Sequence, residues 1–239
     1  MPFRGGALLQ GLAVIALVDV LFLWQMPRIL QWHSRAVESL LRLAHVPWER
    51  GRELTLLPGV SVVLLDTAYL DYRTHPLYPG YFAGAALACF CLGYARWPAP
   101  LKPLFFLLPA GLGITFLYLK TVSPSVPYTP QDFCAIWYRG EAYLWLLLPL
   151  IFAVGFFILN VPLSTKIGWL CLLLLYSFLW SAVRLALALA TFYYFGSIWM
   201  PFFYFAFGFL ADFLYIVAFY SMALDGAAAF LAKQEEVWQ

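Results

Sequence analysis

The sequence predicts an all-α, polytopic integral membrane protein: a bundle of about six transmembrane helices, with an amphipathic surface helix and a small β-hairpin in the first loop. Three observations carry that expectation. Of 239 residues, 64% are hydrophobic and 11% charged, against about 25% charge in an ordinary soluble domain. Six apolar runs approach or exceed the roughly 20 residues that cross a bilayer as a helix. Only one sizeable polar stretch interrupts them, between the first run and the second.

Fourteen basic and twelve acidic side chains are too few to cover a soluble surface of this size, but they suffice where the largest face meets lipid. Soluble enzymes, disordered tails and most nucleic-acid modules are excluded. A net charge of +2 with no Lys/Arg cluster behind it points to no nucleic-acid partner. Membrane lipids are the expected surroundings.

The first span runs from Ala7 to Met26. Only Arg4 is basic ahead of it, and Trp24-Gln25-Met26-Pro27 follows where a cleavable signal would carry small residues, so a retained anchor is expected. Residues 27–80 form the extramembrane or interfacial piece of a single membrane domain, 1–239. There Ile29, Leu30, Trp32, Val37, Leu40, Leu41 and Leu43 fall on one side of a helix, opposite Arg28, Arg35, Glu38 and Arg42. That pattern predicts a helix lying on the bilayer surface. Gly51-Arg52-Glu53 reads as a turn, and Leu54–Leu57 and Val60–Leu65 as two short strands around Pro58-Gly59.

The second span, Tyr81–Ala95, carries Gly84, Ala85, Ala86 and Ala88, small residues that allow close helix approach. Pro109, Gly111 and Gly113 predict a kink in the third, Leu104–Leu119. The fourth, Tyr143–Pro162, contains Pro149. Ile167–Tyr194 and Ile198–Leu224 complete the set. An N-inside orientation places Asp66–Pro79, Lys120–Glu141 and Phe195–Ser197 together on the outer side.

Ionisable residues inside spans are costly and mark candidate sites. Asp19, Arg184 and Asp212 are three such residues. If the last two spans are antiparallel, Arg184 lies about 17 Å and Asp212 about 23 Å below their connection, at 1.5 Å per residue. A long arginine bridges that difference. Two readings stand: an ion pair that fixes packing, or a charge held ready for a substrate.

Cys134 lies in a polar, proline-flanked stretch ahead of the fourth span, whereas Cys89, Cys91 and Cys171 lie in apolar runs. A thiol near a helix start and a cation is a candidate nucleophile, with Arg139 or Arg184 as the cation. The alternative is an ordinary interfacial cysteine beside Trp137 and Tyr138. His33, His45 and His75 all fall in the first loop and read as solvated or interfacial. His75, nearest the second span, is retained as a candidate binding residue. With no CxxC, no Cys/His cluster and no Gly-rich phosphate loop, neither metal nor cofactor is expected.

Leu40 to Arg50 with Leu57 to Asp66, and Ser181-Ala182-Val183-Arg184 with Tyr204-Phe205-Ala206-Phe207-Gly208, resemble stretches of the exosortase/archaeosortase family. Its members are multi-pass membrane cysteine transpeptidases that process C-terminal sorting signals of exported proteins. The resemblance implies residence in a bacterial inner membrane, C-terminal segments of exported proteins as partners, and Arg184 as a stabilising cation. It casts Cys134 as the nucleophile by displacement. Tyr204 stands where the family has histidine, Ser181 where it has asparagine, and Thr67-Ala68-Tyr69 where it has Cys-Ser-Gly. Arg139, Tyr204, Asp212 and His75 are the candidate substrate-binding residues.

Two functions follow: an exosortase-like thiol transpeptidase or protease at the outer boundary, or a non-catalytic scaffold or assembly factor for cell-envelope or polysaccharide export. A small-solute transporter ranks third, since no inverted repeat is visible.

Overall fold

A computed structural model describes residues 5–69, 78–93, scattered positions between 105 and 121, and 128–237 apart from 158 and 160. The described chain is mostly helical with one two-stranded antiparallel sheet. Four helical stretches are long and apolar enough to cross a membrane: Ala13–Leu43, Pro130–Phe156, Leu163–Phe195 and Met200–Ala232. The second predicted span appears as a shorter helix, α2, Tyr78–Gly93. The third, Leu104–Leu119, lies largely outside the described residues.

Helix α1, Gly5–Leu43, is continuous through Pro27. At 1.5 Å per residue it is about 58 Å long, nearly twice the hydrocarbon thickness. The expected surface helix is therefore not a separate element but the second half of α1. Met26, Leu30, His33, Val37 and Leu41 form a fully buried stripe along it. That stripe packs on the third and fourth helices and the sheet, so protein rather than lipid headgroups covers it. Trp32 and Leu43 stay exposed.

The helix ends in a Schellman turn. His45 takes φ +54°, its N–H donates to the Arg42 carbonyl at 3.1 Å, and the Val46 N–H donates to that of Leu41 at 3.0 Å. Leu41 and Val46 are both buried, the apolar contact that accompanies this motif.

Strands β1 (Trp48–Leu57) and β2 (Val60–Thr67) are joined by Pro58-Gly59, with Gly59 at φ +79°. Both are longer than expected, and Gly51-Arg52 is no turn. It falls at a register irregularity between Arg50 and Glu53, where a bulge absorbs the extra residue without ending the pairing. A side chain at Gly51 would collide with the Gln131 amide, 2.8 Å from where its Cβ would stand. Val60, Val62 and Leu64 alternate inward and seat the hairpin on the bundle.

Helix α3 spans Pro130–Phe156 and starts thirteen residues before the predicted Tyr143. The reason is a capping box: the Thr129 hydroxyl accepts from the Asp132 N–H, the Asp132 carboxylate accepts from the Thr129 N–H at 3.1 Å, and Pro130 opens the first turn. The stretch expected to be a loop, including Cys134 and Glu141, is thus helical. Helix α4, Leu163–Phe195, is closed by Gly196 at φ +94°. A 3-10 turn (Ser197–Trp199), one helical turn (Met200–Phe202) and a π-helix (Phe203–Leu210) then lead into α5, Ala211–Val237.

Candidate functional site

Arg184 sits about two-thirds of the way along α4 and is wholly inaccessible. Its partners come from α3 and the last helix. Nη2 donates to Glu141 Oε1 at 2.8 Å and to Asp212 Oδ1 at 2.5 Å. Nη1 donates to the Gly208 carbonyl at 3.0 Å and to that of Phe207. Both carbonyls belong to the π-helix, whose wider i→i+5 turns depart from the α-helical ladder and are frequent at functional sites. The guanidinium also lies over the Trp137 ring, 5.1 Å from its centroid, a favourable contact where water is excluded.

A second tier of polar groups surrounds this cluster. Ser181, one turn before Arg184 on α4, accepts from Trp137 Nε1 at 3.2 Å and lies 3.2 Å from His33 Nε2. Ser177, one turn earlier again, accepts from Trp145 Nε1 at 3.1 Å and bonds the Tyr215 hydroxyl at 2.8 Å. Ser177, Ser181 and Arg184 thus form one polar stripe along the apolar middle of the helix. Beside the cluster, α3 and the π-helix with the start of α5 enclose a groove of about 350 Å³ whose lining includes Trp137, Glu141, Tyr204, Gly208 and Asp212.

The structure brings Arg184, Asp212 and Tyr204 to this place. Tyr204 lines the groove and is partly exposed. Cys134 is not among the partners of Arg184. It is fully buried near the Leu65 backbone, under the hairpin, two helical turns before Glu141, or about 10 Å along α3. Arg139 faces outward on α3. His75 lies outside the described residues. Asp19 is partly buried on α1, with Oδ1 unpartnered among the described residues.

His33 corrects a sequence expectation. It is neither solvated nor interfacial but 0% exposed, in edge contact with Tyr138, Trp145 and Phe178. The cause is the continuation of α1 into the bundle, which turns this residue toward α3 and α4.

Glu141 lies within a helix long and apolar enough to cross a membrane, although its polar neighbours read in the sequence as part of the outer connection. The Thr129-Pro130-Gln131-Asp132 start signal would have placed it inside the helix. Among the described residues no three His, Cys, Asp or Glu side chains form a metal-holding group. Comparison with protein-family models, curated proteins and solved structures finds no match.

Proposed function

We propose that this chain is a non-catalytic membrane scaffold or assembly factor of the cell envelope, acting in polysaccharide or protein export at a bacterial inner membrane, with about six spans on an exosortase-like plan. The observation that carries this reading is the occupation of Arg184. Two carboxylates and two backbone carbonyls take its terminal nitrogens, which is how a charge locks three helices together. A thiol transpeptidase needs the reverse: an accessible thiolate beside a cation. Here the thiol is enclosed, and the cation is engaged by Glu141, two turns further along α3, and by Asp212.

Thiol accessibility tests the proposal. In a variant with Cys89, Cys91 and Cys171 changed to Ser, a membrane-permeant maleimide should leave Cys134 unlabelled in native membranes and label it after denaturation in SDS. Rapid labelling of the native protein would sink the non-catalytic reading. Where deletion of the gene gives an envelope phenotype, Cys134→Ala should restore growth and Arg184→Leu should not.

A further inference from the structure

We propose that the groove between α3 and the last helix holds one acyl chain of an anionic membrane phospholipid, with Arg139 on the lipid's phosphate. Nothing in the scaffold reading requires this site, and it makes no use of the ion cluster beneath it.

The shape of the groove comes from helix direction. Helix α3 and the last helix both run antiparallel to α4, so they lie parallel to each other. The lining follows both of them, from Ile136 to Ile151 on one side and from Tyr204 to Ile216 on the other. At 1.5 Å per residue these stretches are about 22 Å and 18 Å long. A volume of about 350 Å³ drawn out over that length is a slot about 18 Å² in cross-section. That admits one hydrocarbon chain and is too narrow for a helix, whose diameter with side chains is about 10–12 Å. Gly140 keeps the hairpin end of the slot open, because a Cβ there would meet nothing within 4 Å. Glu141 and Asp212 reach the wall, but both are turned onto Arg184, and the surface left to an occupant is almost wholly apolar.

Depth selects a lipid. His33 of α1 and Trp137 of α3 both contact Ser181 and so stand at one height. Around that height lie exposed arginines, Arg28 and Arg35 on α1 and Arg139 on α3. Exposed Trp24 and Trp32 accompany them, the combination that marks a headgroup region. Past Glu141, α3 carries no further charge. From Arg139 to its end at Phe156 is about 26 Å, close to the roughly 30 Å of a hydrocarbon core. The slot below Arg139 therefore spans the adjoining leaflet: Gly140 to Ile151 covers about 17 Å, against about 15 Å for half the core.

Charge selects the head. Arg139 is exposed and, among the described residues, enters no salt bridge. It shares a helix face with Ile136, three residues before it, and Tyr143, four after, and both line the slot. Helical side chains lean toward the N-terminus, which carries its guanidinium toward the hairpin end, above the apolar stretch. A guanidinium forks onto a phosphate, and a chain hanging from that phosphate enters the slot at Gly140.

The test is native mass spectrometry of the full chain released from nanodiscs made of equal parts palmitoyl-oleoyl phosphatidylglycerol and palmitoyl-oleoyl phosphatidylcholine. A single lipid should stay bound, with phosphatidylglycerol favoured about fivefold, the effect of one arginine at a headgroup. Arg139→Gln should abolish that preference while a lipid is still retained. Gly140→Trp should abolish retention of both lipids by filling the slot. Leu147→Trp, which fills it from an exposed wall position, should do the same and decides the matter if Gly140→Trp fails to fold. Retention of no lipid by the wild-type chain overturns the proposal. So does equal retention of the two lipids by the wild-type chain, an unchanged preference in Arg139→Gln, or wild-type retention by either folded tryptophan variant.

Discussion

At the scale of single residues, the buried cluster sets an order of damage. Arg184→Ala leaves two carboxylates buried without their cation, and breaking a buried pair costs about 3–5 kcal/mol. Glu141→Gln instead keeps an amide oxygen to accept from Arg184 and leaves the Arg184–Asp212 pair in place, so it should cost less than half as much. Thermal unfolding of the purified protein checks the order; an Arg184→Ala variant as stable as Glu141→Gln would contradict it. Arg184 and Asp212 were legible in the sequence because each stands alone in a long apolar run. Glu141 was not, since Arg139 and Gln131-Asp132 give its neighbourhood the look of a loop. His33 was hidden for a similar reason: Gln31-Trp32-His33-Ser34-Arg35 is locally polar, and only the packing of distant helices buries one of its members.

At the scale of elements, the start of α3 and the hairpin hold each other. Arg52 Nη2 donates to Asp132 Oδ1 at 2.6 Å, and Gln131 Nε2 donates to Asp66 Oδ2 at 2.5 Å. Asp132 therefore serves both the capping box and the hairpin. Asp132→Ala removes only the reciprocal half of the capping box, the bond from the Thr129 N–H, while the Thr129 hydroxyl keeps the Asp132 N–H, so it should destabilise by about 1 kcal/mol; the half-exposed salt bridge adds little. The same change should hasten proteolysis within 48–67. Wild-type stability and protection would show that the clamp is dispensable. Lower on α3, Gly155 admits Tyr220 of α5, whose hydroxyl occupies the place a Cβ would take. Gly155→Val should force these helices apart at a cost of about 1–3 kcal/mol, read in the same unfolding assay. Element identity was readable from hydrophobic runs and from Pro58-Gly59, whereas boundaries were not. A capping box in a polar segment and a bulge in place of a turn are decided by hydrogen bonds that composition does not reveal.

At the scale of the whole molecule, the pairings fix helix direction and constrain the number of crossings. The contacts of His33 with Ser181 and of Ala44 with Tyr194 run α1 parallel to α4. The contacts of Trp137 with Ser181 and of Trp145 with Ser177 run α3 antiparallel to α4. Those of Arg184 with Asp212 and of Ser177 with Tyr215 make the last helix antiparallel as well. The hairpin, the start of α3 and the end of α4 therefore share one end of the bundle, and the first and last described helices both place their outer termini at the other. The chain between the hairpin and Pro130 leaves and returns to the same end, so it crosses the membrane an even number of times. The expectation of six spans therefore requires α2 and the apolar run after it to form one out-and-back pair. A single cysteine placed at Ala99, between those two runs, should then react with an impermeant maleimide from the side that bears both termini. Labelling from the hairpin side would reduce the total to four and leave α2 lying at the surface beside the hairpin, because parity admits no crossing number in between.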